Sequence, residues 1–109
     1  MQITASKVAA WTVLTLTGKI DQAGADVLAA ALPPQLTGGL VALDLTHIEY
    51  ITSPGFRVLI QSLKEQTAKG GRLLLGNMSA PLRMFFDMAG LGTVFEVVPD
   101  IYDVVRAAP

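Results

Sequence analysis

The chain has 109 residues, 51% hydrophobic and 16% charged, with a formal net charge of −1 and no cysteine. That length and apolar content predict one folded domain over residues 1–109 and exclude a disordered chain. They exclude disulfides and thiolate metal sites too, and the scattered Lys and Arg lack the basic stripe of a nucleic-acid binder.

No stretch supplies the roughly 20 consecutive apolar residues of a membrane span. "ADVLAAAL" is short, and "MFFDMAGLGTVFEVV" is broken by Asp87 and Glu96. The opening "MQITASKVAA" lacks the basic segment and apolar run of a secretory signal, so a cytoplasmic location without membrane insertion is expected.

In chain order, "WTVLTLTG" alternates Trp11, Val13 and Leu16 with threonines and predicts a half-buried strand. The weaker "QITASKVAA" before it is a candidate hairpin partner. "DQAGADVLAAAL" then spaces Val27, Leu28, Ala31 and Leu32 for one helical face, and Pro33 and Pro34 end it. "LVALDLT" is a short, nearly continuous apolar run, as expected of a strand covered on both faces.

After Ser53, "PGFRVLIQSLKEQTAKGG" predicts a helix with Phe56, Leu59, Ile60 and Leu63 inward. Arg57, Gln61 and Lys64 form a polar stripe on it, and Gly70 or Gly71 marks its end. "RLLLGN" is a further buried strand. "SAPLRMFFDMAG" reads as a helix capped by Ser79, with Leu82, Phe85, Phe86 and Ala89 in the core. Met84 and Met88 form a second stripe, more often gap-filling core than interface. "TVFEVV" predicts a last strand and "DIYDVVRAA" a last helix capped by Asp100. The alternation predicts an α/β fold: a small mixed β-sheet of about 4–5 strands with about 4 helices packed on it.

Enzyme signatures fail in turn. His47 is the single histidine, which rules out a multi-histidine metal site. Asp44 and His47 fall at even and odd positions of a strand, hence on opposite faces, and His47 reads as a solvated residue at the strand end. No glycine run matches a phosphate loop, and the acidic residues Asp21, Asp44 and Glu49 are dispersed. No catalytic centre and no cofactor site is legible, and a serine hydrolase lacks its histidine partner.

The segment "YITSPGF" carries more. Pro54 suits the first helical position, which would make Ser53 the N-cap. Its hydroxyl would then stabilise the helix by about 1 kcal/mol. The same position is exposed, and a helix start favours negative charge, so a phosphate on Ser53 is equally compatible. Gly55 is expected to leave the backbone uncrowded beside it.

Four pieces stand in order: Gly18-Lys19-Ile20-Asp21 after a strand, "VALDLT" followed by "IEYITSPGF", Gly70-Gly71 before "RLLLGN", and "FFDMAGLGTVF". Together they resemble the STAS domain, in particular the free-standing bacterial anti-sigma factor antagonists. The resemblance runs from Trp11 to about Arg106. It implies a small mixed sheet with helices. It also implies a regulator that, when dephosphorylated, binds an anti-sigma factor with a histidine-kinase-like ATP site. That serine kinase would phosphorylate the antagonist, and a metal-dependent serine phosphatase would reverse the step. By motif position the phosphoacceptor is Ser53, and the family's loop aspartate falls on Asp21. Asp21, Thr52, Gly55, Arg57 and Gln61 are the expected partner-binding residues. The usual Asp-Ser-Ser/Thr-Gly motif is Thr52-Ser53-Pro54-Gly55 here, so an acid and a hydroxyl are lost. STAS subunits of transporters, including lipid-trafficking ABC systems, and of stress-sensing assemblies often depart in this way. A constitutive subunit with Ser53 as a cap is therefore the alternative expectation.

Overall fold

The computed structural model describes residues 1–107. Five strands form one mixed sheet in the order of their appearance. Strand β1 (Gln2–Val8) pairs antiparallel with β2 (Trp11–Ile20). β3 (Leu40–Ile51), β4 (Arg72–Gly76) and β5 (Glu96–Val98) each run parallel to the strand before them. Parallel neighbours need crossovers, and α1 (Gln22–Ala31), α2 (Ser53–Ala68) and α3 (Ala80–Met88) provide them, with α4 (Ile101–Val105) following β5.

The strand alternation sorts side chains into two cores. Leu14, Leu16, Leu43, Leu45, Leu73 and Leu75 join Leu28, Leu59, Leu82 and Phe86 of the first three helices. On the other face Trp11, Val13, Ala42 and Leu74 lie with Ile101 and Val105 of α4. Burial on both faces is why β3 and β4 read as unbroken apolar runs. Each buried leucine contributes about 1.5–3 kcal/mol, so the packing of α1–α3 dominates the stability.

Several expectations need correction. Helix α1 buries Ala25 and Leu28, and the Leu32 that ends it is buried too, while Val27, one residue off that stripe, is 41% exposed. In α3, Leu82 and Phe86 are buried, but Phe85 is 39%, Met84 60% and Met88 77% exposed. A nine-residue helix anchored by two core residues leaves the rest of its circumference outward. Ala89 is exposed as well. The last strand is only Glu96–Val98. The predicted last helix is capped by Asp100 as expected, while Ala108, its predicted end, lies outside the described residues.

β3 continues to Ile51, five residues past its predicted end, and carries a bulge. Thr15 pairs with Asp44 and Thr17 with His47, so three steps along β3 face two along β2. Leu43, Leu45 and Ile48 consequently share one core. Asp44 and His47 therefore both point to the opposite face, against the simple odd–even expectation, and His47 lies within the strand.

Gln66 is a buried residue that the periodicity did not mark. Its Oε1 accepts from the Gly38 N–H at 3.0 Å, and its Nε2 donates to the carbonyls of Gly39 at 2.8 Å and Arg72 at 3.3 Å. It fixes the turns at the starts of β3 and β4 to the end of α2.

Candidate functional site at the start of helix α2

The site stands at the C-terminal ends of β2 and β3, where Ile20 pairs with Ile51. Thr52 extends that pairing: its N–H donates to the Ile20 carbonyl at 2.9 Å and its hydroxyl to the same oxygen at 3.2 Å. Directly beyond, both chains turn into helices. Asp21 caps α1, its Oδ1 accepting from the Gly24 N–H at 2.9 Å. Asp21, Thr52 and Ser53 are thereby gathered at one edge of the sheet.

The expected cap is shifted by one residue. Thr52, with φ −117° and ψ 175°, is the N-cap position; Ser53 and Pro54 lie in the first turn. The Phe56 N–H closes that turn on the Thr52 carbonyl at 3.1 Å. No side chain caps the helix, because the Thr52 hydroxyl has turned back to β2. Ser53 is exposed, and among the described residues its hydroxyl enters no hydrogen bond. Pro54 has no N–H to satisfy, the other first-turn amides have no partner within the helix, and a helix start favours negative charge.

Gly55 is not an uncrowded approach for a partner. It is buried, and a Cβ there would stand 2.8 Å from Ile51 Cγ1 and 2.9 Å from the Ile20 carbonyl oxygen. Only glycine lets α2 start this close to the strand ends, so its place is beneath the site. Arg57 and Gln61 are exposed along α2. They line a shallow groove of about 320 Å³ between α1 and α2, with Ala29, Pro33 and Glu65 also on its walls.

A second polar cluster escaped the sequence reading, although a lone acid in "VALDLT" was its signal. Asp44 is 6% exposed. Its Oδ1 accepts from the Thr46 N–H at 3.0 Å and hydroxyl at 2.6 Å, and its Oδ2 from the Tyr102 hydroxyl at 2.7 Å. Burial pushes this carboxyl up, but the bonds from Thr46 and Tyr102, with His47 nearby, outweigh it and hold it below the usual carboxylate range. The Asp44 bond in turn raises the Tyr102 hydroxyl. This cluster fastens α4 to the sheet. Among the described residues no group of three His, Cys, Asp or Glu gathers as a metal site. No helix among them is long and apolar enough to cross a membrane.

A family model described as "Mlab, STAS domain" matches residues 3–99. The chain is 31% identical over 99 residues to BtrV of Bordetella bronchiseptica, a candidate anti-sigma factor antagonist, covering 89% of this chain and 85% of that one. It is 31% identical over 85 residues to the anti-sigma-B factor antagonist of Bacillus subtilis, covering 77% and 78% of the two chains. The chain belongs to the STAS domain family and resembles anti-sigma factor antagonists along most of its length. The fold also matches the Bacillus anti-sigma factor antagonist SpoIIAA. The unphosphorylated form superposes with a TM-score of 0.75 at 19% identity, over 99% of this chain and all of that one. The phosphorylated form gives 0.68 at 19% identity, over 96% and 98%. These structural likenesses concern the fold.

Proposed function

We propose that this chain is a non-enzymatic binding switch of a partner-switching pathway in the cytoplasm. Unmodified, it binds an anti-sigma factor that is also a serine kinase with a histidine-kinase-like ATP site. Phosphorylation at Ser53 ends the binding, and a serine phosphatase restores it. The observation that carries this reading is the exposed, uncommitted hydroxyl of Ser53 at the start of α2, in a chain related to two anti-sigma factor antagonists.

Docking uses Asp21, Thr52 and Ser53 at the strand ends and continues over Arg57 and Gln61, with Gly55 supporting them from below. In the modifying step Ser53 Oγ bonds to the γ-phosphorus of ATP as the bond to the bridging oxygen breaks. ADP leaves, and the hydroxyl proton passes to solvent. The phosphate adds about two negative charges inside a complementary surface. A tenfold loss of affinity needs only about 1.4 kcal/mol, so no refolding is required.

A second reading has its own support. Thr52 stands where antagonists of this family carry an acid, and the matching family model bears the description "Mlab, STAS domain". Under that reading the chain is a constitutive subunit of a transporter or stress-sensing assembly. Its second basis, Ser53 as a mere helix cap, is absent.

Incubation with ATP and a candidate anti-sigma serine kinase from the same organism, followed by intact mass, separates the two. The switch predicts one added phosphate that Ser53→Ala abolishes. Binding of that kinase without any modification of Ser53 overturns it in favour of the constitutive subunit.

A further inference from the structure

The chain's eight Lys and Arg are unevenly committed. Arg72 pairs with Glu96, Arg83 with Asp87, and Lys69 with Glu65. Lys7 donates to Thr12, Arg106 lies over Tyr102, and Lys19 stands 6.0 Å from the centre of the Tyr50 ring. Among the described residues, Arg57 and Lys64 have no such partner. Lys64 is three helical turns beyond Ser53, whereas Arg57 is four residues on and exposed on the same helix.

Residues four apart on a helix are neighbours, and an anion on the N-terminal side of a cation is the favoured order. The other residues one turn from Arg57 on α2 are Pro54, Ile60 and Gln61, none of them acidic. Glu65, farther along the same groove, is paired with Lys69, so no acid within one turn competes for the guanidinium, whose planar fork suits phosphate oxygens. We infer that Arg57 is the internal counter-ion of a phosphate on Ser53, so that modification withdraws Arg57 from the docking face while adding charge to it. This rests on the reading of Ser53 as the modified residue. The phosphate then acts twice: it occupies the strand-end surface, and it removes an uncommitted cation from those available to an acidic group of the partner.

The test uses the full chain with phosphoserine incorporated at position 53 during translation, so it needs no kinase. Phosphorus NMR follows the second ionisation of the phosphate, ordinarily near pH 6. Lys19, Asp21 and Glu49 line one cavity at the strand ends, and their charges act on native and variant alike. The expected result is a midpoint about 0.3 of a pH unit or more lower in the native chain than in Arg57→Gln, with a smaller rise in Lys19→Gln. Equal midpoints in native and Arg57→Gln, or a rise in Lys19→Gln as large as that in Arg57→Gln, overturn the proposal. Failure here leaves the kinase assay above standing, and failure there leaves this ion pair standing, so the two are told apart.

Discussion

The hydroxyl of Thr52 donates to the Ile20 carbonyl at 3.2 Å, which commits it to the sheet and leaves its neighbour Ser53 free. Two adjacent hydroxyls thus have different duties. Thr52→Val removes one hydrogen bond and should lower the unfolding free energy by about 0.5–1.5 kcal/mol. Ser53→Ala should stay within about 0.5 kcal/mol of the native chain, where loss of a true N-cap would cost about 1 kcal/mol. Urea unfolding of the three proteins checks both. A larger loss for Ser53→Ala than for Thr52→Val would return Ser53 to the role of cap.

Gly55→Ala should be among the more damaging single changes at the site. The added methyl meets the Ile20 carbonyl and Ile51 at the root of α2, so the helix start must shift. Overpacking of this kind costs about 1–3 kcal/mol. Urea unfolding gives the stability, and loss of partner binding beyond the unfolded fraction would show that the shift reaches Ser53.

Gln66→Met keeps the volume of a buried side chain but deletes three hydrogen bonds, including the one from the Gly38 N–H. The Gly39 carbonyl still accepts from the Arg72 N–H, whereas the Gly38 N–H loses its partner, so a loss of about 1–3 kcal/mol is expected. Amide exchange should rise at Gly38 ahead of the core strands. Protection of that amide equal to the native chain would show that the pin is dispensable.

The Asp44 carboxyl is held below its ordinary range in the folded chain despite its burial. A depressed folded value means that its contribution is present above the unfolded pKa of about 3.9 and is lost as pH falls through the folded value. Tyr102 has the opposite sign: its raised hydroxyl stabilises below about pH 10 and loses that contribution at higher pH. Tyr102→Phe should therefore flatten both ends of the stability–pH curve and loosen α4. Unfolding midpoints from pH 2 to 11 test this; parallel curves for native and variant would refute the coupling.

The element order and the mixed α/β architecture were legible because strands and helices here differ sharply in period. "LVALDLT" and "RLLLGN" announce two-sided burial, and Pro33-Pro34 an abrupt helix end. What escaped depends on single-residue offsets or on long-range partners. The bulge between Thr15 and His47 moves one strand residue and reverses a face assignment that alternation had made. Ser53 missed the cap by one position because the Thr52 side chain bonds to Ile20, 32 residues away. Gln66 went unmarked by helical periodicity, since its partners Gly38 and Gly39 arrive from another turn. Phe85 and Val27 sit at the margin of amphipathic stripes, where neighbours decide burial. The candidate residues Asp21, Thr52 and Ser53 were legible only as a motif, and the pairing of Ile20 with Ile51 is what brings them together.

The most direct test of the Ser53 switch is a calorimetric titration of the anti-sigma kinase with two forms of this chain. One is unmodified; the other carries a single phosphate at Ser53. The unmodified form is predicted to bind at least tenfold more tightly, a difference of about 1.4 kcal/mol. Equal affinity of the two forms for that partner would contradict it.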